Sequence, residues 1–253
     1  MSHATYNTAS IRRDQRGLTL IEIMIAITIS LLLLAGVMQI FIGSKASYNL
    51  QNGLGRLQEN GRYAMDTLAR NIGMTGFGIE PDDATNYPAI DSANTADNTT
   101  ANADLGFTTA NGQASDIIDI RYTSATDCLG NATGAGGIAV NRFYLNGTDL
   151  MCLGNGSATA QILAEGVENM QLLYGEDLDD NGIADSYVAA GNVTNWGNIL
   201  SVRVALLVNS VDSVNGVDTG VYALLNAPPI GPLSDNLTRK VFTRTILLRN
   251  KLS

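Results

Sequence analysis

Histidine is all but missing from this sequence, its one copy being His3. A chain with no imidazole beyond its third residue lacks the commonest general base and the commonest transition-metal ligand. Other catalytic signatures are missing too. There is no Gly-x-Ser-x-Gly nucleophile elbow, and Gly154-Asn155-Gly156-Ser157 is only a loop fragment. The glycine-rich Gly134-Ala135-Gly136-Gly137 is not followed by the Lys-Ser or Lys-Thr of a phosphate loop. An enzyme is not expected. Basic charge is scarce as well: 15 Lys and Arg face 24 Asp and Glu, a net charge of −9. Nucleic-acid binding needs clustered cations, so it is not expected either. Arg239, Lys240, Arg244, Arg249 and Lys251 do crowd the C-terminus. The expectation for them is the solvent face of a strand.

What the chain does have is a long apolar run. From Leu18 to Ile42 the one charged side chain is Glu22, and proline is absent. At about 1.5 Å per helical residue this stretch can span the ~30 Å hydrocarbon core of a bilayer. Arg12, Arg13 and Arg16 precede it, which by the positive-inside rule puts the N-terminus in the cytoplasm and the chain beyond Ile42 outside. Glu22 is anomalous, because a carboxylate near the membrane interior costs about 2.5–3.5 kcal/mol. It either stays wet at the interface or has a partner.

After Ile42 the helical pattern continues and becomes amphipathic. Ala46, Leu50, Leu54, Leu57, Gly61, Met65, Leu68 and Ile72 recur at three- and four-residue steps and share one face. Gly36, Gly43, Gly53 and Gly55 mark places where this stem can bend or where a neighbouring helix can come close. Gly73-Met74-Thr75-Gly76-Phe77-Gly78 ends it. An irregular excursion follows, with Glu80–Asn111 rich in Asp, Asn, Thr and Ala. Strand patterns then run over 116–122, 138–145, 149–152, 167–174, 202–208 and 241–249, with Asn146-Gly147 as a hairpin turn. One long helix followed by consecutive strands predicts an α+β fold, with a mostly antiparallel sheet laid on the outer half of the helix. The segments are 1–17 as leader, 18–42 in the membrane, 43–73 as amphipathic continuation and 74–253 as the β-rich domain, its irregular part 74–113. Cys128 and Cys152 both lie in the part placed outside the cytoplasm. An even count there favours one disulfide over two buried thiols. Trp196 is expected to be a packing anchor at a sheet edge.

Gly17-Leu18-Thr19-Leu20-Ile21-Glu22 resembles the Gly-Phe-Thr-Leu-Ile-Glu motif of type IV prepilins, with Leu18 where Phe is commonest. The resemblance implies that a prepilin peptidase cuts between Gly17 and Leu18 and that the new amine of Leu18 is methylated. Loss of residues 1–17 would take the net charge from −9 to about −11. Six further segments look like PilW-type minor pilins. They are Arg62-Tyr63-Ala64-Met65, Leu68-Ala69-Arg70-Asn71-Ile72, Gly76-Phe77-Gly78, Glu165-Gly166-Val167-Glu168-Asn169-Met170-Gln171, Tyr174-Gly175 and the ending Phe242-Thr243-Arg244-Thr245-Ile246-Leu247-Leu248-Arg249-Asn250. The function implied is a minor pilin that helps prime pilus assembly and sits at or near the tip. Its partners would be other minor pilins, the major pilin, the peptidase and the inner-membrane assembly platform. The chain would be held in the inner membrane with its C-terminal domain in the periplasm. A J-type pseudopilin of type II secretion and a tip adhesin acting through residues 80–111 are the alternatives. In the filament, the Glu22 carboxylate of one subunit would meet the Leu18 amine of another, with a pair inside one subunit as the competing geometry.

One other constellation carries chemistry. Asp177, Asp179, Asn181, Ile183 (through its carbonyl) and Asp185 have the spacing of an extracellular calcium loop, with Gly182 at the sharp turn. Position twelve is Val188 rather than the Glu of an EF-hand. An Asx-rich turn needing no ion has the same composition, and both readings stay open at this point.

Overall fold

The computed structural model describes residues 17, 19–79, 90, 114–214 and 216–251. The chain divides into two compact units, Met1–Ser47 and Tyr48–Ser253. Helix α1, Leu20–Gly73, contributes to both. In the first unit the helical side chains from Leu20 to Ile42 are exposed although nearly all are apolar. The 54-residue helix has a window of mean hydropathy 2.5 and none of that window is buried, which suits contact with lipid. Thr28 and Ser30 return their hydroxyls to the carbonyls of Ile25 and Ala26 at 2.8 and 2.7 Å, so neither leaves an unpaired donor in an apolar setting.

In the second unit α1 buries one face, made of Gly53, Leu57, Gly61, Ala64, Met65, Thr67, Leu68 and Ile72. Leu50 of the expected apolar face is 38% exposed, and Gly53 is buried instead. Against this face lie two four-stranded antiparallel sheets rather than the one expected. The first holds β1 (Ile118–Thr123), β2 (Ile138–Asn146), β3 (Asp149–Gly154) and β4 (Gln161–Glu165) in sequence order. The second holds β5 (Val167–Glu176), β6 (Ser186–Val188), β7 (Ile199–Asn209) and β8 (Arg239–Leu247), in the order β6-β5-β7-β8. The chain changes sheet at Gly166, whose φ of 79° is in the left-handed region and where a Cβ would come within 2.9 Å of the Asn209 side chain. The β2–β3 hairpin pairs Asn146 with Asp149, so its two loop residues are Gly147 and Thr148. Of the irregular excursion, Met74–Ile79 forms turns and Ile90 is buried against Ile120. Residues 80–89 and 91–113 lie outside the described residues.

The main core takes Leu57, Ala64, Leu68 and Ile72 from α1, Ile118, Phe143 and Leu150 from the first sheet, and Leu172, Val204 and Ile246 from the second. Strand β7 is buried on both faces. Val202, Val204, Leu206 and Val208 face this core, while Ala205 and Leu207 meet Leu224 and Ile230 in a second, smaller cluster. The segment between β7 and β8 supplies that second cover.

Arg239 corrects the expectation for the C-terminal cations. Its side chain is only 2% exposed. It donates to Glu168 at 2.7 and 2.9 Å and to Asp218 and Asp235 at 2.7 Å each. Asn209 donates to the same Glu168 at 2.7 Å. Burial opposes ionisation of Asp218, yet hydrogen bonds from Arg239, Gly220 and Tyr222 outweigh it and hold its carboxyl below 3.8. The bond from Arg239 does the same for Asp235. Burial, then the Asp218 acceptor, pushes Tyr222 up to about 12. Through these contacts one arginine fastens the β7–β8 connection to β5 and β8. Cys128 and Cys152 form a disulfide that joins the loop after β1 to β3.

Arg239→Met should destabilise the protein by about 3–5 kcal/mol in denaturant melts, because it leaves three carboxylates without their cation. Since Asp218 and Asp235 are held below the ordinary carboxyl value, the stability they add is present above that value and is lost as pH falls through their lowered ones. The difference between wild type and Arg239→Met should therefore shrink only below about pH 4. Reduction of the disulfide, which spans 24 positions, should lower the unfolding free energy by roughly 3 kcal/mol.

Candidate functional site

The N-terminal motif sits where α1 begins. Gly17 and Thr19 precede the helix, and Leu18 lies outside the described residues. The Thr19 carbonyl accepts from the N–H groups of Glu22 and Ile23 at 3.1 and 3.2 Å, and the Thr19 hydroxyl stands 3.4 Å from the Glu22 N–H. Thr19 is thus the N-cap and Glu22 the third helical residue, the Thr-x-x-Glu arrangement of a capping box. That signal is present in the sequence at Thr19 and Glu22, and the reading of Glu22 as a membrane anomaly and a pairing partner passed over it. An acidic first turn also complements the positive end of the helix dipole. The Glu22 side chain is exposed.

The acidic loop joins β5 to β6. Asp177 is buried, while Asp179 and Asp185 are exposed, and ligand oxygens of the three lie within 4.8 Å of one another. Asp177 accepts the N–H groups of Asn181 and Gly182 at 3.2 and 2.8 Å. Burial raises its carboxyl, but these backbone donors more than offset that and hold it below the ordinary value. Asp185 accepts the Leu178 N–H at 2.7 Å, and the Asn181 amide donates to Asp179 at 2.9 Å. Asp180 and Gly182 take φ values of 60° and 82°, which the tight turn requires. Of the five expected ligands the structure brings together the carboxylates of Asp177, Asp179 and Asp185, hard oxygen donors of the kind calcium takes. The hydrogen bonds within the loop also close the turn without an ion. Val188 is a β6 residue paired with Tyr174, so position twelve brings no carboxylate.

Beside the loop stands a residue that sequence reasoning passed over. Glu176 is 1% exposed and accepts from the N–H groups of Thr194 and Asn195 at 3.0 and 2.7 Å and from the Thr194 hydroxyl. Burial opposes its ionised form, and these donors outweigh burial to lower its pKa. Glu176 thereby fastens the connection that carries Trp196. Trp196 meets Tyr174 edge-on with ring centroids 4.9 Å apart, the packing role expected of it. Nothing local in the sequence marks Glu176, because its donors lie 18 and 19 positions away.

The family described as Type IV Pilus-assembly protein W matches residues 133–250, just under half of the chain. The prokaryotic N-terminal methylation motif matches residues 12–38. A type IV-like pilin from Thermus thermophilus aligns with 78% of this chain and 99% of its own length, at 13% identity and a TM-score of 0.46. No curated protein matches. A prepilin-type N-terminus on a long apolar helix, followed by helix-packed antiparallel sheets, defines a type IV pilin-like protein anchored in a membrane. Within that class the match over residues 133–250, together with the methylation motif, supports a PilW-type minor pilin.

Proposed function

We propose that this pilin takes part in priming assembly of the type IV pilus and is incorporated at or near the tip. The observation that carries the reading is Glu22, a lone carboxylate in the first turn of an apolar helix, next to a matched methylation motif. Prepilin peptidase would cut between Gly17 and Leu18 and leave a methylated amine on Leu18. The exposed carboxylate of Glu22 would then pair with the Leu18 amine of a neighbouring subunit. In a low-dielectric setting such a pair sets axial register and neutralises two charges that are expensive to bury alone. The neighbours would be other minor pilins and the major pilin, met at the inner-membrane assembly platform with the β-rich unit in the periplasm. The scarcity of histidine and of catalytic motifs supports a structural rather than an enzymatic role. We also propose that Asp177, Asp179, Asn181, Ile183 and Asp185 take a calcium ion of the weak extracellular type; the three close carboxylates support this.

Glu22→Ala should insert in the membrane normally yet enter sheared pili at about a tenth of the wild-type level or less, the equivalent of losing ~1.4 kcal/mol. Glu22→Gln separates pairing from capping, since it keeps the backbone N–H that meets the Thr19 hydroxyl and removes the charge. Pairing predicts that Gln fails as Ala does, and normal piliation of Gln would retire it. A deletion strain should lose surface pili and keep protein secretion; the reverse would assign the chain to a secretion machine. For calcium, 10 mM ion acting on a site of ~1 mM affinity should stabilise the protein by about 1.4 kcal/mol. Asp177→Asn should remove the calorimetric signal, and no heat from the wild type would end the proposal.

A further inference from the structure

Among the described residues strand β8 has one ladder partner, β7, and its other edge has none. Leu248 donates its N–H to the Leu200 carbonyl at 2.8 Å, and the register goes on to pair Ile246 with Val202 and Arg244 with Val204. Bonded and non-bonded pairs alternate in an antiparallel ladder. The even-numbered residues of β8 therefore bond to β7, while Val241, Thr243, Thr245 and Leu247 turn their N–H and C=O groups to the open edge. A nine-residue open edge is a ready template for another chain. The Leu247 side chain at its end is 57% exposed.

A groove of about 680 Å³ runs between this edge and the last turns of α1, where Ala69, Arg70, Gly73 and Met74 form the facing wall. Gly73 brings this wall near β8, where an added Cβ would be in ordinary contact with the Leu247 carbonyl at 3.8 Å. The groove carries Arg70, Arg244 and Arg249 against the single carboxylate of Asp66, which Arg244 already engages at 2.8 Å. Arg70 and Arg249 have no carboxylate partner among the described residues. This basic strip lies on a chain of net charge −9.

We propose that the β8 edge and its groove receive an extended, acidic segment of a different pilus subunit, added to the second sheet as a further strand. The proposal rests on the pilus-subunit reading above. Backbone bonds to Thr245 and Leu247 would give the strand its register, and carboxylates facing Arg70 and Arg249 would select it. A second copy of this chain is the poorer occupant. Antiparallel pairing of two β8 edges brings Lys240 and Arg244 of each copy toward those of the other, and like charges opposed across strands are destabilising.

The test is site-specific photo-crosslinking of the full chain in piliated cells, with the photoreactive residue replacing Leu247 and, as a control, Ile162 on β4. The expected result is an adduct from position 247 alone, mapped by mass spectrometry to an Asp/Glu-rich extended segment of another pilin. Thr245→Pro removes an outward N–H while sparing the β7 ladder, and should reduce that adduct about tenfold. Arg70→Glu, on the exposed helix surface, should do the same without touching β8, so the test holds even if the proline variant folds poorly. An adduct to a second copy, or to a segment poor in acidic residues, overturns the proposal. No adduct while the chain is present in sheared pili overturns the groove and keeps the assembly role. An adduct from membrane-pool chain that never reaches sheared pili supports the groove and retires the tip location.

Discussion

The second half of α1 has one face to bury, and both sheets are organised by that requirement. Leu57, Leu68 and Ile72 are at most 1% exposed, and each contributes about 1.5–3 kcal/mol by leaving water. Close approach is made possible by the absence of side chains. A Cβ on Gly61 would lie 2.3 Å from the Phe242 ring, and one on Gly53 would lie 2.8 Å from Val214. The helix thus relies on β8 for Phe242 and Ile246. Strand β8 in turn begins at Arg239, whose bonds to Glu168, Asp218 and Asp235 fasten the preceding connection. Removing that arginine would disturb both the outer cover of β7 and, through β8, the seat of the helix.

Much of this was legible in the chain because it is local. The apolar run, the three- and four-residue periodicity, the glycine-rich exit from the helix and the Asn146-Gly147 turn are all written within short windows. What escaped was set by distance along the chain. Strands β4 and β6 are short and half-exposed, and they exist because β3 and β5 offer them edges. The double burial of β7 depends on Leu224 and Ile230, which lie beyond its end. Arg239 resembled its basic neighbours in composition, and only the fold brings Glu168 to it from 71 positions away. At the candidate site the order is reversed: Thr19 and Glu22 are three apart, so the capping box could have been read directly and was not.

The acidic balance of the protein is distributed with purpose in the second unit. Three carboxylates are spent around Arg239, and Glu176 is consumed by Thr194 and Asn195. Asp177, Asp179 and Asp185 close a turn. The cations that remain exposed include Arg244 and Arg249 beside the open strand edge. An edge of that length normally invites non-specific pairing, and charge on it both discourages a like copy and selects an opposite one.

The same comparison of magnitudes decides how Glu22 is to be understood. Its place in the first turn of α1 gives it a favourable interaction with the helix dipole, worth about 0.3–1 kcal/mol when exposed and ~2 kcal/mol in the best partly buried settings. The Thr19 cap satisfies a backbone donor and does nothing for the carboxylate itself. A carboxylate near the membrane interior costs about 2.5–3.5 kcal/mol. Local structure therefore offsets part of that cost and leaves a remainder on the order of 1–3 kcal/mol by the same figures. A remainder of this size is tolerable for a subunit at rest in the membrane and large enough to favour a cationic neighbour when one arrives. The Thr19 cap and the proposed intersubunit pairing are then complementary, the first serving a backbone donor at the start of the helix and the second the carboxylate.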